Sequence, residues 1–172
     1  MPLRLANAAR EFANVLMRMP NQATPQLAAN PARLHYLNSV HGVYLAPEAA
    51  GLAELLALAA LNSATALSAE ITGRAYGGGV LKLEPREAAR LLVPSIATVG
   101  EHREELAGML PVARRLLRAG RLSEVRGLVD AAILGPRAVA ATCLQGIREA
   151  HAVLSERRLE RGRSRPPRSG QG

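Results

Sequence analysis

The stretch PEAAGLAELLALAALNSATALSAEIT, residues 47–72, decides the fold class. It is dense in Ala and Leu, and the apolar residues fall on nearly every side of a helix. Such a helix is buried rather than half-exposed. Pro47 suits a first helical position and Gly73 suits a helix end, so the spacing predicts one helix over 47–72. Residues 49–67 are long enough to raise a membrane span. Glu54, Asn62, Ser63 and Thr65 argue against it, because a carboxylate in mid-membrane is costly and alanine contributes little transfer energy. The segment therefore reads as the central helix of a core, with no membrane association.

The rest of the composition agrees. The chain has 172 residues, of which 48% are hydrophobic, enough for one domain with a real core. Aromatics are few (Phe12, Tyr36, Tyr44 and Tyr76, with no Trp), so the core is built of Leu, Ala and Val. The net charge is +8, and Lys82 is the single lysine among 22 basic residues. Residues 156–172 hold six Arg and two Glu, half of that net charge. The remaining excess is modest for a dedicated nucleic-acid binder, yet compatible with a polyanionic partner. One cysteine, Cys143, rules out an intrachain disulfide framework and fits a reducing, cytoplasmic setting. The first residues lack an apolar run followed by a small-residue cleavage site, so no secretory signal is expected.

Outward from the central stretch, residues 1–30 are poorly defined, with an apolar run at 15–19 that suits a strand. NQATPQLAANP reads as a loop interrupted by Pro25 and Pro31. Residues 33–45 alternate roughly and read as two short strands. VLKLE, residues 80–84, is a further short strand, and PREAARLLV, residues 85–93, a short helix closed by Pro94. Helices are expected over 99–110, 112–119, 123–134 and 137–158. Gly120, Gly135 and Pro136 mark breaks, and Ser123 suits an N-cap. RGRSRPPRSGQG has no periodicity and reads as disordered. The expected architecture is α+β and helix-dominated. Short strands at about 13–19, 34–45 and 79–83 form a small sheet, in three segments: 1–30, a helical domain over 31–159, and a disordered basic tail over 160–172.

Between the central helix and VLKLE lies ITGRAYGGG, with Gly77, Gly78 and Gly79 in a row. Three readings compete. The glycines can be a plain turn, with Arg74 and Lys82 solvated. A nucleotide loop is excluded, because neither Gly-Lys-Ser/Thr nor Gly-x-Gly-x-x-Gly occurs and a strand rather than a helix follows. The third reading is a loop that lets backbone approach a polyanion. Glycine removes Cβ and permits positive φ, Arg74 and Lys82 neutralise charge, and Tyr76 stacks on a base or bonds a phosphate.

Residues 61–95 resemble a stretch near the C-terminus of bacterial N6-adenine DNA methyltransferases of the large Eco57I/TaqI-like kind. The shared pattern runs through Leu61, Asn62, Ser63, Arg74, Gly78, Gly79, Leu81, Lys82, Leu83, Glu84, Pro85, Val93 and Pro94. NSVHGVYL before the helix is similar to that family's Asn-x-Val-His-Gly segment, at Asn38, Val40, His41 and Gly42. LVDAAILG and IREAHAVLSERRLERGR resemble its final helices. The likeness covers about residues 31–163.

The resemblance implies a target-recognition region that follows a catalytic domain in a restriction-modification enzyme. It favours the DNA-facing reading, with Arg74, Tyr76, Gly77, Gly78, Gly79 and Lys82 at a double-stranded DNA surface. It also implies S-adenosylmethionine as cofactor of the whole family protein. The Asn/Asp-Pro-Pro-Tyr/Phe motif that grips a flipped adenine in that family is missing, and RPPR at 165–168 lacks its polar and aromatic members. No strand–glycine loop–helix opens a cofactor-binding sheet either. This chain is expected to bind no cofactor and to lack activity alone. A rival reading is a module that docks on a separate catalytic chain without touching DNA, its 47–72 helix buried against that partner.

Other candidates carry less. His35, His41, His102 and His151 have no ligand spacing. Ser39 and His41 lack an orienting carboxylate. Glu101, Glu104 and Glu105 read as a solvated face, and Arg114, Arg115 and Arg118 as solvated or DNA-backbone contacts.

Overall fold

The computed structural model describes residues 4–6, 13–18, 25–36, 40–135 and 140–163. Four short strands come first: β1 (Arg4–Ala6), β2 (Val15–Arg18), β3 (Gln26–Ala29) and β4 (Val40–Tyr44). They form one antiparallel sheet in the order β1-β4-β2-β3. The register sets Val15 opposite both Val43 and Ala29, and Met17 opposite both His41 and Leu27. Because strand side chains alternate faces, these rows share one side of the sheet. Val15, Met17, Leu27 and Val43 are buried there.

That face packs on α1 (Ala53–Ala59), whose Ala57, with Ala60 just after the helix, joins the sheet residues, Leu83 and Ala88 in one cluster. The other sides of α1 supply Leu55, Leu56, Leu58 and Ala59 to a second cluster. That cluster is completed by α4 (Ile96–Glu101), α5 (Arg103–Arg118) and α6 (Leu122–Ile133) through Val99, Leu106, Leu116, Val125 and Val129. Positions 55 to 61 are buried without interruption. A helix wedged between a sheet and a bundle has no solvent side, which is why its sequence is apolar all round. α2 (Ser63–Thr72) then leads by β5 (Arg74–Tyr76) and β6 (Val80–Lys82) to α3 (Pro85–Ala88), and α7 (Ala141–Arg163) packs along α2.

The helix-dominated α+β class holds, and several details differ from expectation. The single helix over 47–72 is three pieces: a 3-10 turn at Pro47–Leu52, then α1, then α2. Asn62 breaks it, since its Oδ1 accepts from the Thr65 amide at 2.8 Å and caps α2. The two halves bend by 83°, and among the described residues no single helix is long and apolar enough to cross a membrane. The segment buries most of its apolar residues inside its own chain, positions 55 to 61 above all, while Ile71 near its end stays 66% exposed.

NQATPQLAANP is not all loop, because Gln26–Ala29 pairs with β2 directly after Pro25. Residues 33–45 yield one strand, β4, with Arg33–Tyr36 irregular before it and residues 37–39 outside the described set. The strand at 80–82 belongs to a separate two-stranded sheet with β5, and does not join β2 and β4.

α5 runs through Pro111, where two helices are expected. The lost bond falls at Ala107 on the exposed side, while Leu106, Ala113 and Leu116 hold the buried side. α4 starts at Ile96 because Ser95 caps it. Ser123 lies inside α6, whose start is marked by an Arg121–Glu124 ion pair instead of a serine cap. α7 begins at Ala141 and carries helix to Arg163, past the expected start of the basic tail at 160. Residues 164–172 lie outside the described set.

Candidate nucleic-acid interface

A short strand, rather than a helix, leads into the glycines. β5 and β6 pair Arg74 with Lys82, Ala75 with Leu81 and Tyr76 with Val80. Alternation therefore puts Arg74, Tyr76 and Lys82 on one face, while Leu81 is buried on the other. Tyr76 is 46% exposed, and the Lys82 Nζ lies 5.3 Å from the centre of its ring, within cation–π range. The three side chains expected to meet a polyanion thus share a solvent-facing surface.

Two carboxylates share it. Lys82 Nζ is 2.7 Å from Glu84 Oε1, and Arg74 is ion-paired with Glu87. The hydrogen bond that Lys82 donates to the Glu84 carboxylate holds its ammonium above the usual range. Glu87 is held below the usual carboxylate range, first by the Glu84 amide and then by Arg74. That amide bond is half of a capping box: Pro85 opens α3, and Glu84 and Glu87 cap each other's backbone. Arg74 is therefore tied to the start of α3. A phosphate reaching Arg74 or Lys82 meets cations already oriented, and must compete with their carboxylates. The two cations and two carboxylates balance, and Arg86 and Arg90, both exposed on and after α3, add two positive charges nearby in sequence.

The three glycines have different reasons. Gly78 and Gly79 have φ of 76° and 73°, values that L side chains rarely adopt. A Cβ on Gly77 or Gly78 would meet nothing within 4 Å, whereas one on Gly79 would lie 3.2 Å from the Leu159 Cα. From the other side, a Cβ on Gly162 would fall 2.2 Å from the Gly79 nitrogen. The C-terminal part of α7 thus seats on the Gly78–Gly79 backbone, while the space that a Cβ on Gly77 or Gly78 would fill is open.

Sequence reasoning missed the residues that seat α7. Arg158 is 3% exposed and Glu70 4% exposed at the side chain. Arg158 Nε donates to Glu70 Oε2 at 2.9 Å and Nη2 to Oε1 at 2.8 Å, while Nη1 donates to the Gly79 carbonyl. A second buried network joins α2, α6 and α7. Asp130, fully buried, accepts from the Ser63 amide and hydroxyl, both at 2.7 Å, and from Arg148 Nε at 3.0 Å and Nη2 at 2.7 Å. The Leu-Asn-Ser and Leu-Val-Asp pieces noticed in the sequence meet here, as architecture rather than chemistry. His41 likewise is structural, with Nε2 2.9 Å from the Leu83 carbonyl in a buried contact between the sheet and the end of β6. Gly42 lies beneath the Tyr36 ring, whose hydroxyl is 3.0 Å from that of Tyr44.

Arg114 pairs with Glu54, and Arg115 and Arg118 are exposed on the last turns of α5. His102 Nδ1 is 3.3 Å from Glu105 at the α4–α5 junction. Among the described residues no group of three or more His, Cys, Asp or Glu is placed to hold a metal ion. A cleft of about 770 Å³ opens between β3 and the α1–α5 pair, with Arg33, Glu54 and Arg114 among its lining.

Fold and surface together define a helix-dominated α+β domain that presents a cationic, aromatic hairpin and is closed behind by a long helix. The family described as type II methyltransferase M.Eco57I, C-terminal domain, matches residues 9–134, and the chain belongs to that family. No curated protein and no solved structure matches the chain.

Proposed function

We propose that this chain is the DNA-binding, target-recognition part of an adenine-N6 DNA methyltransferase whose catalytic half lies on other sequence. The observation that carries this reading is the common, solvent-facing side shared by Arg74, Tyr76 and Lys82 beside the glycine tip. Phosphates attract such a face, and a half-exposed tyrosine between two cations suits stacking or a phosphate bond. Family membership supports a methyltransferase context; the adenine specificity rests on the sequence resemblance. The partner on this reading is double-stranded DNA, in the cytoplasm.

No S-adenosylmethionine is held by this chain on the same reading. The glycines pass from strand to strand and open no helix, so they do not fit a strand–loop–helix cradle for a nucleoside cofactor. No methyl-transfer step is assigned to these residues.

The test is duplex-DNA binding by the purified chain across a salt series, with Arg74→Ala/Lys82→Ala beside a variant that removes two tail arginines. Each lost phosphate contact lowers the salt slope by about 0.9. The hairpin variant is expected to lose affinity and about two contacts of slope, and more affinity than the tail variant. Equal losses, or no binding by the parent chain, would remove the proposal.

A second reading has its own observation. Ile71 and Leu92 are 66% and 67% exposed, and the Leu92 amide bonds Ser68 Oγ one turn before Ile71, which brings both to neighbouring surface. On this reading the pair docks against a separate catalytic chain. Ile71→Ser/Leu92→Ser would then abolish co-purification with that chain, and the parent chain alone would bind no duplex DNA.

A further inference from the structure

We infer that α7 sets the shape of the hairpin face and that Arg158 is its positioning residue. α7 spans Ala141–Arg163, beyond the family match over residues 9–134, yet it closes the back of the loop inside that match. The connection is unusually direct. Arg158 spends all three of its guanidinium nitrogens inward, two on the Glu70 carboxylate and one on the Gly79 carbonyl. A planar fork with each nitrogen committed leaves no slack in the distance between α2 and the loop. Gly162 and Gly79 meet with no side chain between them, so a shift of α7 is passed to the loop backbone rather than absorbed by a rotamer.

The consequence follows from the register. Gly79 sits one residue before β6, whose Val80 pairs with Tyr76 and whose Lys82 pairs with Arg74. Holding the Gly79 carbonyl therefore holds the spacing of the three side chains on the opposite face. If α7 lifts, the glycine tip is left with two positive-φ residues and a pairing of only three residues a side, too little for a hairpin to keep its form in water. Polyanion binding at the face and docking of α7 behind it are then thermodynamically linked, each strengthening the other.

The DNA arm of this inference rests on the proposed function; the structural arm does not, and the experiment separates them. Amide hydrogen exchange and duplex-DNA binding would be measured on the full chain and on Arg158→Gln, Arg158→Lys and Gly162→Ala. All three variants are expected to speed exchange of amides 78–82 by about tenfold or more while α1 and α6 change by less than about twofold. Lysine keeps the charge but not the fork, and so behaves as glutamine does. Gly162→Ala keeps the ion pair but pushes α7 off the loop, and serves if the Arg158 variants do not fold. DNA affinity is expected to fall about fivefold or more at an unchanged salt slope, since no phosphate contact is removed.

Exchange that rises equally everywhere would make Arg158 a general stabiliser and overturn the inference, as would wild-type behaviour of Arg158→Lys. A slope reduced by about 0.9 would mean that Arg158 itself touches phosphate and would overturn the positioning role. If the parent chain binds no DNA, the proposed function fails and the exchange arm alone decides whether α7 positions the hairpin.

Discussion

Asp130 receives both the backbone N–H and the side-chain hydroxyl of Ser63, one on each carboxylate oxygen, each at 2.7 Å. The two residues stand 67 positions apart, one at the start of α2 and one near the end of α6. Ser63 directly follows Asn62, the cap that bends the chain by 83°. Asp130 thus secures the corner from which α2 departs toward the hairpin. Its carboxylate also suits the N-terminal end of α2, where the backbone amides point outward and favour negative charge.

Replacing Asp130 by alanine should be among the most damaging single changes in the chain. It removes the acceptor for two buried Ser63 donors and for the Arg148 guanidinium, which is itself 44% exposed. Arg148 can turn to solvent, but the Ser63 donors cannot. The loss is expected to be about 3 kcal/mol, the scale for breaking a buried charged network. In urea unfolding the midpoint would fall with the slope unchanged. Asp130→Asn, which keeps shape and one acceptor oxygen, should lose less than the alanine variant. A loss below about 1 kcal/mol for alanine would mean that water replaces the carboxylate without penalty.

The glycine row can be taken apart one residue at a time. Gly77 has neither a positive φ nor a neighbour to meet a new Cβ, so Gly77→Ala should be neutral or stabilising by a few tenths to about 1 kcal/mol through the unfolded chain. Gly79→Ala adds a methyl at positive φ and against Leu159, and should cost about 1–2 kcal/mol. Gly78 lies between, strained in backbone but with open space. Thermal melts of the three single variants would read the order directly. If Gly77→Ala instead weakens DNA binding while leaving the melting temperature unchanged, the tip backbone itself approaches the polyanion.

What the sequence shows of this fold follows the range of the interactions. The buried helices announce themselves, because an apolar run with no polar face has one physical outcome. Asn62 escapes notice, since a cap inside an Ala- and Leu-rich run leaves the helical period on both sides intact. β3 escapes because Gln, Leu, Ala and Ala are weak strand formers that extend only by pairing with Val15–Arg18. Pro111 misleads in the other direction, its local preference overruled by apolar contacts before and after it. The site divides in the same way. Arg74, Tyr76 and Lys82 are close in sequence, and strand alternation alone places them together. Glu70 and Arg158 are 88 positions apart, and no period or motif links an arginine in a run of arginines to one carboxylate on another helix.

His151 gives the packing of α7 a pH signature. Its imidazole is half-buried, and burial, with Arg126 next, holds its pKa below the ordinary value of 6.5; Arg158 adds to this and Glu70 opposes it. A histidine whose folded pKa is depressed binds its proton more readily in the unfolded chain. Its effect on stability is therefore absent above about pH 6.5 and grows as pH falls from there through the lowered folded pKa. Wild type should lose stability on acidification over that window beyond what its carboxylates explain. His151→Gln removes the titration while leaving Glu70, Asp130 and the other acids in place. The urea midpoints of the two proteins should therefore differ by a constant at pH 7 to 8. Below about pH 6.5 they should move so that the variant gains relative to wild type. A gap that stays constant down to about pH 5 would show that His151 accepts its proton as easily in the folded chain as in the unfolded one, and that the packing of α7 does not bury it.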